Sequence, residues 1–197
     1  MIKGLILGTI LGVLILVAAG YLYFAWGQAP VATASPSMPF ERTFAKLGLH
    51  KYLDKLPHPN PAVPADEPNF LQGAKIYKEH CAVCHGLPDQ PKTFIALGMF
   101  PKPPQLFQGM GVTDDEPWET YWKVSGGIRL TGMPGFVGHL TDTQMWQVTV
   151  LLKNMDKISP AVKAGLLAPM TMTPVMKMTP EDMKKAEEDS HDHDHHH

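Results

Sequence analysis

Cys81-Ala82-Val83-Cys84-His85 is the stretch on which the reading of this chain turns. Two cysteines separated by two residues, with a histidine directly behind the second, form the attachment pattern of a c-type haem. The two vinyl groups of a haem each take up one thiol as a thioether, and two intervening residues on a helical turn set the sulfurs at matching separation. The histidine is then held beneath the iron, where an imidazole nitrogen becomes the proximal axial ligand. A redox dithiol and half of a zinc site share this spacing. A thioredoxin-like dithiol belongs in a βαβ setting, whereas the segments here read as helices and proline-rich loops. A structural zinc site takes four ligands, and these are the only two cysteines in the chain. The motif favours haem attachment.

Working outward, Asn69 can cap a helix that runs through His80 and delivers the chain into Cys81. Gly73 falls in the middle of that helix, where glycine costs about 1 kcal/mol against alanine, so another helix is expected to cross closely there. Thr141-Asp142-Thr143-Gln144 has the pattern of a capping box. It opens a helix to about Met155 carrying Met145, Trp146, Val148, Val150, Leu151 and Leu152, with Trp146 as the aromatic to set against Gly73. A middle helix is predicted from Glu116 to Val124, with Thr113 or Asp114 near its cap, Pro117 in its first turn and Gly126-Gly127 ending it.

Two loops join these helices. Gly86 to Gln105 has no regular period and ends Phe100-Pro101-Lys102-Pro103-Pro104-Gln105. It can wrap the proximal side, with a proline carbonyl accepting the second N–H of His85, the contact that fixes a ligating imidazole. The other loop, Gly127 to Phe136, carries Met133 between Gly132 and Pro134, where a thioether can be aimed at iron instead of a core. Met99 and Met110 are its rivals, and spacing alone does not choose among them. Arg129, in the same loop, is either a partner for a haem propionate or a solvated cation.

Gly73-x3-Tyr77-x3-Cys81-x2-Cys84-His85, then Pro103-Pro104, then Gly132-Met133-Pro134, then a terminal helix opening Leu140-Thr141-Asp142 and carrying Trp146, resembles a class I c-type cytochrome over residues 69–156. The resemblance implies an all-α fold, a small helical domain wrapped around one covalent haem c. It makes Cys81 and Cys84 the thioether sites, His85 the proximal ligand and Met133 the distal ligand. It also places Gly73 and Tyr77 at the contact with the terminal helix. With both axial positions filled, the iron has no place for oxygen or substrate, and Met/His ligation raises the reduction potential. The expected work is outer-sphere electron transfer between redox partner proteins in a respiratory chain, as a carrier or haem subunit and not as an enzyme. A haem enzyme or sensor would follow if the distal site were open.

The amino end lies outside that resemblance. Gly4 to Trp26 contains no charged residue, and as a helix it is roughly 34 Å long, enough for a hydrocarbon core of about 30 Å. Lys3 precedes it, and Tyr21, Tyr23 and Trp26 form an interfacial aromatic set at its far end. A cleaved signal would use Ala32-Thr33-Ala34, but its apolar region runs only about 7–15 residues, so a retained anchor is expected. The haem domain would then face the periplasm from a bacterial cytoplasmic membrane, with one pass.

The expected organisation is an anchor over 1–27, a proline-rich linker over 28–68, the cytochrome domain over 69–157 and a Met/His-rich disordered tail over 158–197. Within the linker, Phe40 to Leu56 predicts a short amphipathic helix, Phe40, Phe44 and Leu47 recurring at helical spacing among Arg42, Lys46, Lys51 and Lys55. It fits a membrane surface, a partner or its own domain. His50 and His58 are expected to be solvated. In the tail, Met170, Met172, Met176, Met178 and Met183 precede Ser190-His191-Asp192-His193-Asp194-His195-His196-His197. Thioethers suit Cu(I) and imidazoles Cu(II), Ni or Zn, which makes copper a candidate partner and copper handling an alternative function. A plain soluble terminus, or a histidine tag, has the same composition. With 17 Lys+Arg against 19 Asp+Glu, the charge balance gives no argument for a nucleic-acid partner.

Overall fold

The computed structural model describes residues 2–108 and 114–169. Met110, Thr113, the methionines from Met170 onward and the histidine-rich end lie outside the described residues. Among the described residues every regular element is helical, apart from an isolated bridge between Val137 and Leu140. Helix α1 (Ile2–Ala25) is long and apolar enough to cross a membrane, and none of it is buried against the rest of the protein. Helix α2 (Glu41–Leu53) is shorter than the predicted span.

The compact body is organised on α3 (Glu67–His80). The cap of α3 is Asp66, three residues before the predicted Asn69. The Asp66 carboxylate accepts from the Asn69 backbone N–H at 3.1 Å and from its side-chain amide at 2.7 Å. A carboxylate at this position also meets the positive end of the helix dipole. Asn69 becomes a first-turn residue whose side chain accepts from Gln147 at 3.0 Å.

Gln147 belongs to α7 (Asp142–Lys153), the predicted terminal helix, whose Thr141/Gln144 capping box is fully formed. α7 crosses α3 at Gly73, as a mid-helix glycine predicts. A β-carbon on Gly73 would collide with the Gln147 carbonyl oxygen, lie 2.9 Å from its carbon and 3.1 Å from Leu151 Cβ. The contact is backbone on backbone, and the expected Trp146 does not make it. Trp146 instead stacks on Tyr121 of α6 (Pro117–Gly126), with ring centroids 4.3 Å apart. One helical position separates Gln147 from Trp146, a rotation of about 100° that carries the indole to α6. The Tyr121 hydroxyl donates to Asp142 at 2.6 Å, and that bond pushes its pKa up to about 12. Helix α6 begins at Pro117, one residue later than predicted, with Glu116 in the cap position making no side-chain cap bond.

One finding departs from the expected organisation. Residues after Met155 are not all irregular, because α8 (Pro160–Leu167) packs on α3 with Val162 and Leu166 fully buried. Ser159 caps it and donates to Glu67 at 2.9 Å, while Lys78 donates to the Gly165 and Ala168 carbonyls at 2.9 and 3.1 Å. His58 is exposed, as expected, with one face of its imidazole stacked on Trp118 at 3.8 Å. Pro57 and Pro59 keep this stretch extended, and Trp122 fixes it beside α6 by donating to the Pro57 carbonyl at 2.8 Å.

Candidate functional site

The last turn of α3 runs directly into the motif. Cys81 ends α3, its backbone N–H bonded to Tyr77 O at 2.8 Å, and the single turn α4 (Ala82–His85) follows. The Cys84 and His85 N–H groups both return to the Cys81 carbonyl, at 3.1 and 2.9 Å. The two sulfurs therefore stand on one turn, on residues three apart. Both cysteines are free thiols, and both are half-buried. Burial, and secondarily Cys84, pushes the Cys81 thiol up to about 12. Redox-active Cys-x-x-Cys thiols have depressed values instead. Among the described residues no set of three His, Cys, Asp or Glu side chains converges as a metal site would need.

His85 is held from behind. Its Nδ1 lies 2.8 Å from the Pro104 carbonyl, which accepts only if that nitrogen carries the proton. The predicted proline contact is thus made, and Nε2 is left as the lone-pair nitrogen. Burial lowers the His85 pKa, with the Pro104 hydrogen bond acting more weakly in the opposite sense. A neutral imidazole with Nδ1 fixed is the form that ligates a metal.

The wrapping loop owes its position to contacts that sequence reading missed. Gln105 donates to the Cys84 carbonyl at 3.1 Å, and the Leu106 N–H bonds to His85 O at 3.3 Å. Gly86, with φ +75, turns the chain where a side chain would strike the Gln105 amide oxygen. Thr93 donates to Val83 O at 2.6 Å and caps the short helix α5 (Phe94–Gly98), in a loop whose five helical residues are too few to show a period. Tyr77 closes this side. It is fully buried, stands edge-on to Phe107 at 5.0 Å and donates to Gly86 O at 2.8 Å. Burial raises its pKa far above the ordinary value, so the phenol remains a donor. Tyr77→Phe leaves a buried carbonyl unpaired and should cost about 1–3 kcal/mol, read as a lower guanidinium midpoint at unchanged slope.

The loop from Gly127 to Phe136 is pinched at its neck. A β-carbon on Gly127 (φ +65) would lie 2.5 Å from Gly135 N and 2.8 Å from Met133 O, and one on Gly135 would lie 2.8 Å from Ser125 O. The strands of this neck approach so closely that only glycine fits on either side. Inside it, the Met133 carbonyl accepts from Ile128 N at 3.1 Å, and its N–H donates to Thr131 Oγ1 at 3.1 Å. Thr131 in turn donates to Ile128 O at 2.6 Å. Both backbone groups of Met133 are therefore fixed, and its half-buried side chain packs against the core. Met99 comes to the same place: its terminal methyl fills the space a Gly132 side chain would need. Arg129 is exposed.

The donor set fits a covalently held haem: two thiols on one turn, a neutral imidazole anchored through Nδ1, and a thioether on a rigid loop. The family described as cytochrome C oxidase, cbb3-type, subunit III, matches residues 68–152. No curated protein and no solved structure gives a match. The matched span covers the crossing of α3 with α7 and every residue of the donor set, and leaves out α1, α2 and α8. Residues 68–152 are a class I c-type cytochrome domain, the electron-transfer module that carries covalently bound haem c.

Proposed function

We propose that this chain is a membrane-tethered monohaem cytochrome that passes electrons one at a time between respiratory redox proteins on the periplasmic side of a bacterial cytoplasmic membrane. Cys81 and Cys84 hold the haem through thioethers, His85 is the proximal ligand and Met133 the distal one. The compact unit runs from Asp66 to Leu167, α8 included, with α1 as the anchor and residues 26–65 as the tether. When bound, the haem supplies a one-electron ferrous/ferric couple whose potential the axial pair sets high. Met133 fills the coordination position that a substrate would need. The chain's own contribution is rigidity: Pro104 fixes the imidazole, Thr131 and the Gly127/Gly135 neck fix the thioether, and little rearrangement accompanies a change of charge.

The observation that carries this reading is the fixing of both candidate axial residues by backbone contacts. The matched family's description names an oxidase subunit, which supports a place inside a larger complex as well as a free carrier.

Peptide mapping of membrane-extracted protein tests the ligand set. The tryptic peptide from Glu79 to Lys92 should carry the mass of one haem, and the Cys81→Ala/Cys84→Ala variant should lack it. A disulfide between the two cysteines in the native protein would overturn the assignment. In spheroplasts, added protease should remove the haem domain, and protection of that domain would overturn the orientation.

A further inference from the structure

Helix α2 carries two apolar stripes on opposite sides, and the domain covers only one. At about 100° per residue, Leu49 and Leu53 point one way, and Phe40, Phe44 and Leu47 point roughly the opposite way. Leu53 is 3 % exposed. Leu49, Tyr52, Leu53 and Leu56 line a groove with Trp122, Gly126 and Gly127, so this side rests on the neck of the Met133 loop. Arg42 adds to that side by placing its guanidinium over the Phe100 ring, 5.9 Å from the centroid.

The other stripe faces solvent: Phe40, Phe44 and Leu47 are 72, 68 and 52 % exposed. Phe40 also adopts a left-handed backbone, φ +62, unusual for a bulky residue, and its ring packs edge-on against Phe44 at 6.3 Å. The Met38 N–H donates to the Glu41 carboxylate at 2.7 Å and fixes the turn that holds this pair outward.

We infer that this second stripe lies on the anionic lipid surface of the membrane that α1 enters, making α2 a wedge between bilayer and haem domain. The inference rests on α1 being a retained anchor. Two features select lipid as the occupant. Residues 40–56 hold Arg42, Lys46, Lys51 and Lys55 against Glu41 and Asp54, a net positive segment in a chain whose formal net charge is −2. At about 100° per residue Arg42 and Lys46 fall on the Leu49/Leu53 side, and Lys51, 3.3 Å from Asp54, falls on the side of the exposed stripe. Apolar residues among cations are the pattern of an interfacial helix. Between Ala25 and Phe40 the chain can extend at most about 50 Å, so the anchor keeps the stripe within that distance of the bilayer and raises its effective lipid concentration. The consequence is orientational: the domain is presented to its partners at a fixed height and tilt.

Haem attachment consumes both native thiols, so one introduced cysteine can be labelled selectively. Nitroxide-labelled Phe44→Cys and Leu47→Cys full-length holoproteins, in nanodiscs of phosphatidylcholine and phosphatidylglycerol, are compared with labelled Val137→Cys, an exposed position outside α2. Oxygen should reach labels 44 and 47 several-fold better than a water-soluble nickel chelate does, with the order reversed at 137. Replacing the anionic lipid by phosphatidylcholine should reduce the difference. Equal access by the nickel chelate at all three positions, in chains that remain in the discs, overturns the docking alone. Labels 44 and 47 shielded from both reagents would mean a protein contact and also overturn it. Release of the intact chain from the discs overturns the anchor, and the docking with it.

Discussion

Met133→Ala is expected to turn a low-spin cytochrome that ignores carbon monoxide into one that binds it when reduced, with the potential lowered by about 0.1 V or more within the roughly 0.8 V that axial ligands command. The backbone geometry makes this a clean substitution. Thr131 and Ile128 bond the main chain at position 133, and the Gly127/Gly135 neck clamps the loop by backbone contacts. Trimming the side chain therefore leaves the loop in place and the iron position open. Met99 is the neighbouring thioether, with its methyl against Gly132. If Met99 swings into the gap, the single variant keeps a partial low-spin spectrum and Met99→Ala/Met133→Ala loses it. An unchanged ferric spectrum in the double variant would remove methionine ligation from the account.

Gly73→Val is expected to destabilise the holoprotein by more than about 3 kcal/mol, the upper end for overpacking. The added atoms meet the Gln147 carbonyl and Leu151, and a main-chain carbonyl inside a helix has nowhere to move. α3 and α7 must separate, and α3 is the element that delivers Cys81 and positions Tyr77 under Gly86. Haem incorporation should fall along with stability. Gly73→Ala is the milder test: the gain of up to about 1 kcal/mol in helix propensity should not offset the collision. A guanidinium midpoint at or above the native one for Gly73→Ala would show that the crossing is looser than described.

Much of this was legible in the sequence because the signals are local. The attachment motif, the Thr141/Gln144 capping box, the apolar run of α1 and the proline behind His85 each depend on residues close in sequence or on chemistry carried by a few side chains. Gly73 announced a crossing helix, since a mid-helix glycine is costly without a close neighbour, but not which residue would meet it. The rotation that sends Trp146 to Tyr121 belongs to the packing of α6 on α7. Helix α8 stayed hidden for a related reason. Its eight residues offer only Val162 and Leu166 at helical spacing, and the surface that buries them is α3, about ninety residues earlier, whose Glu67 and Lys78 bond Ser159 before α8 and Gly165 in its last turn. The Asp66 cap was obscured by Asn69, a residue equally able to cap. Gln105 and Thr131 gave no signal, because a side chain that bonds to a loop carbonyl looks like any other polar loop residue.

The visible spectrum of the native full-length protein in membranes, oxidised and then reduced with and without carbon monoxide, tests the central claim most directly. A low-spin c-type spectrum unaltered by carbon monoxide is the predicted result, with His85 and Met133 filling both axial positions. A clear shift on adding carbon monoxide to the reduced protein would contradict it and make ligand chemistry at an open iron the leading function.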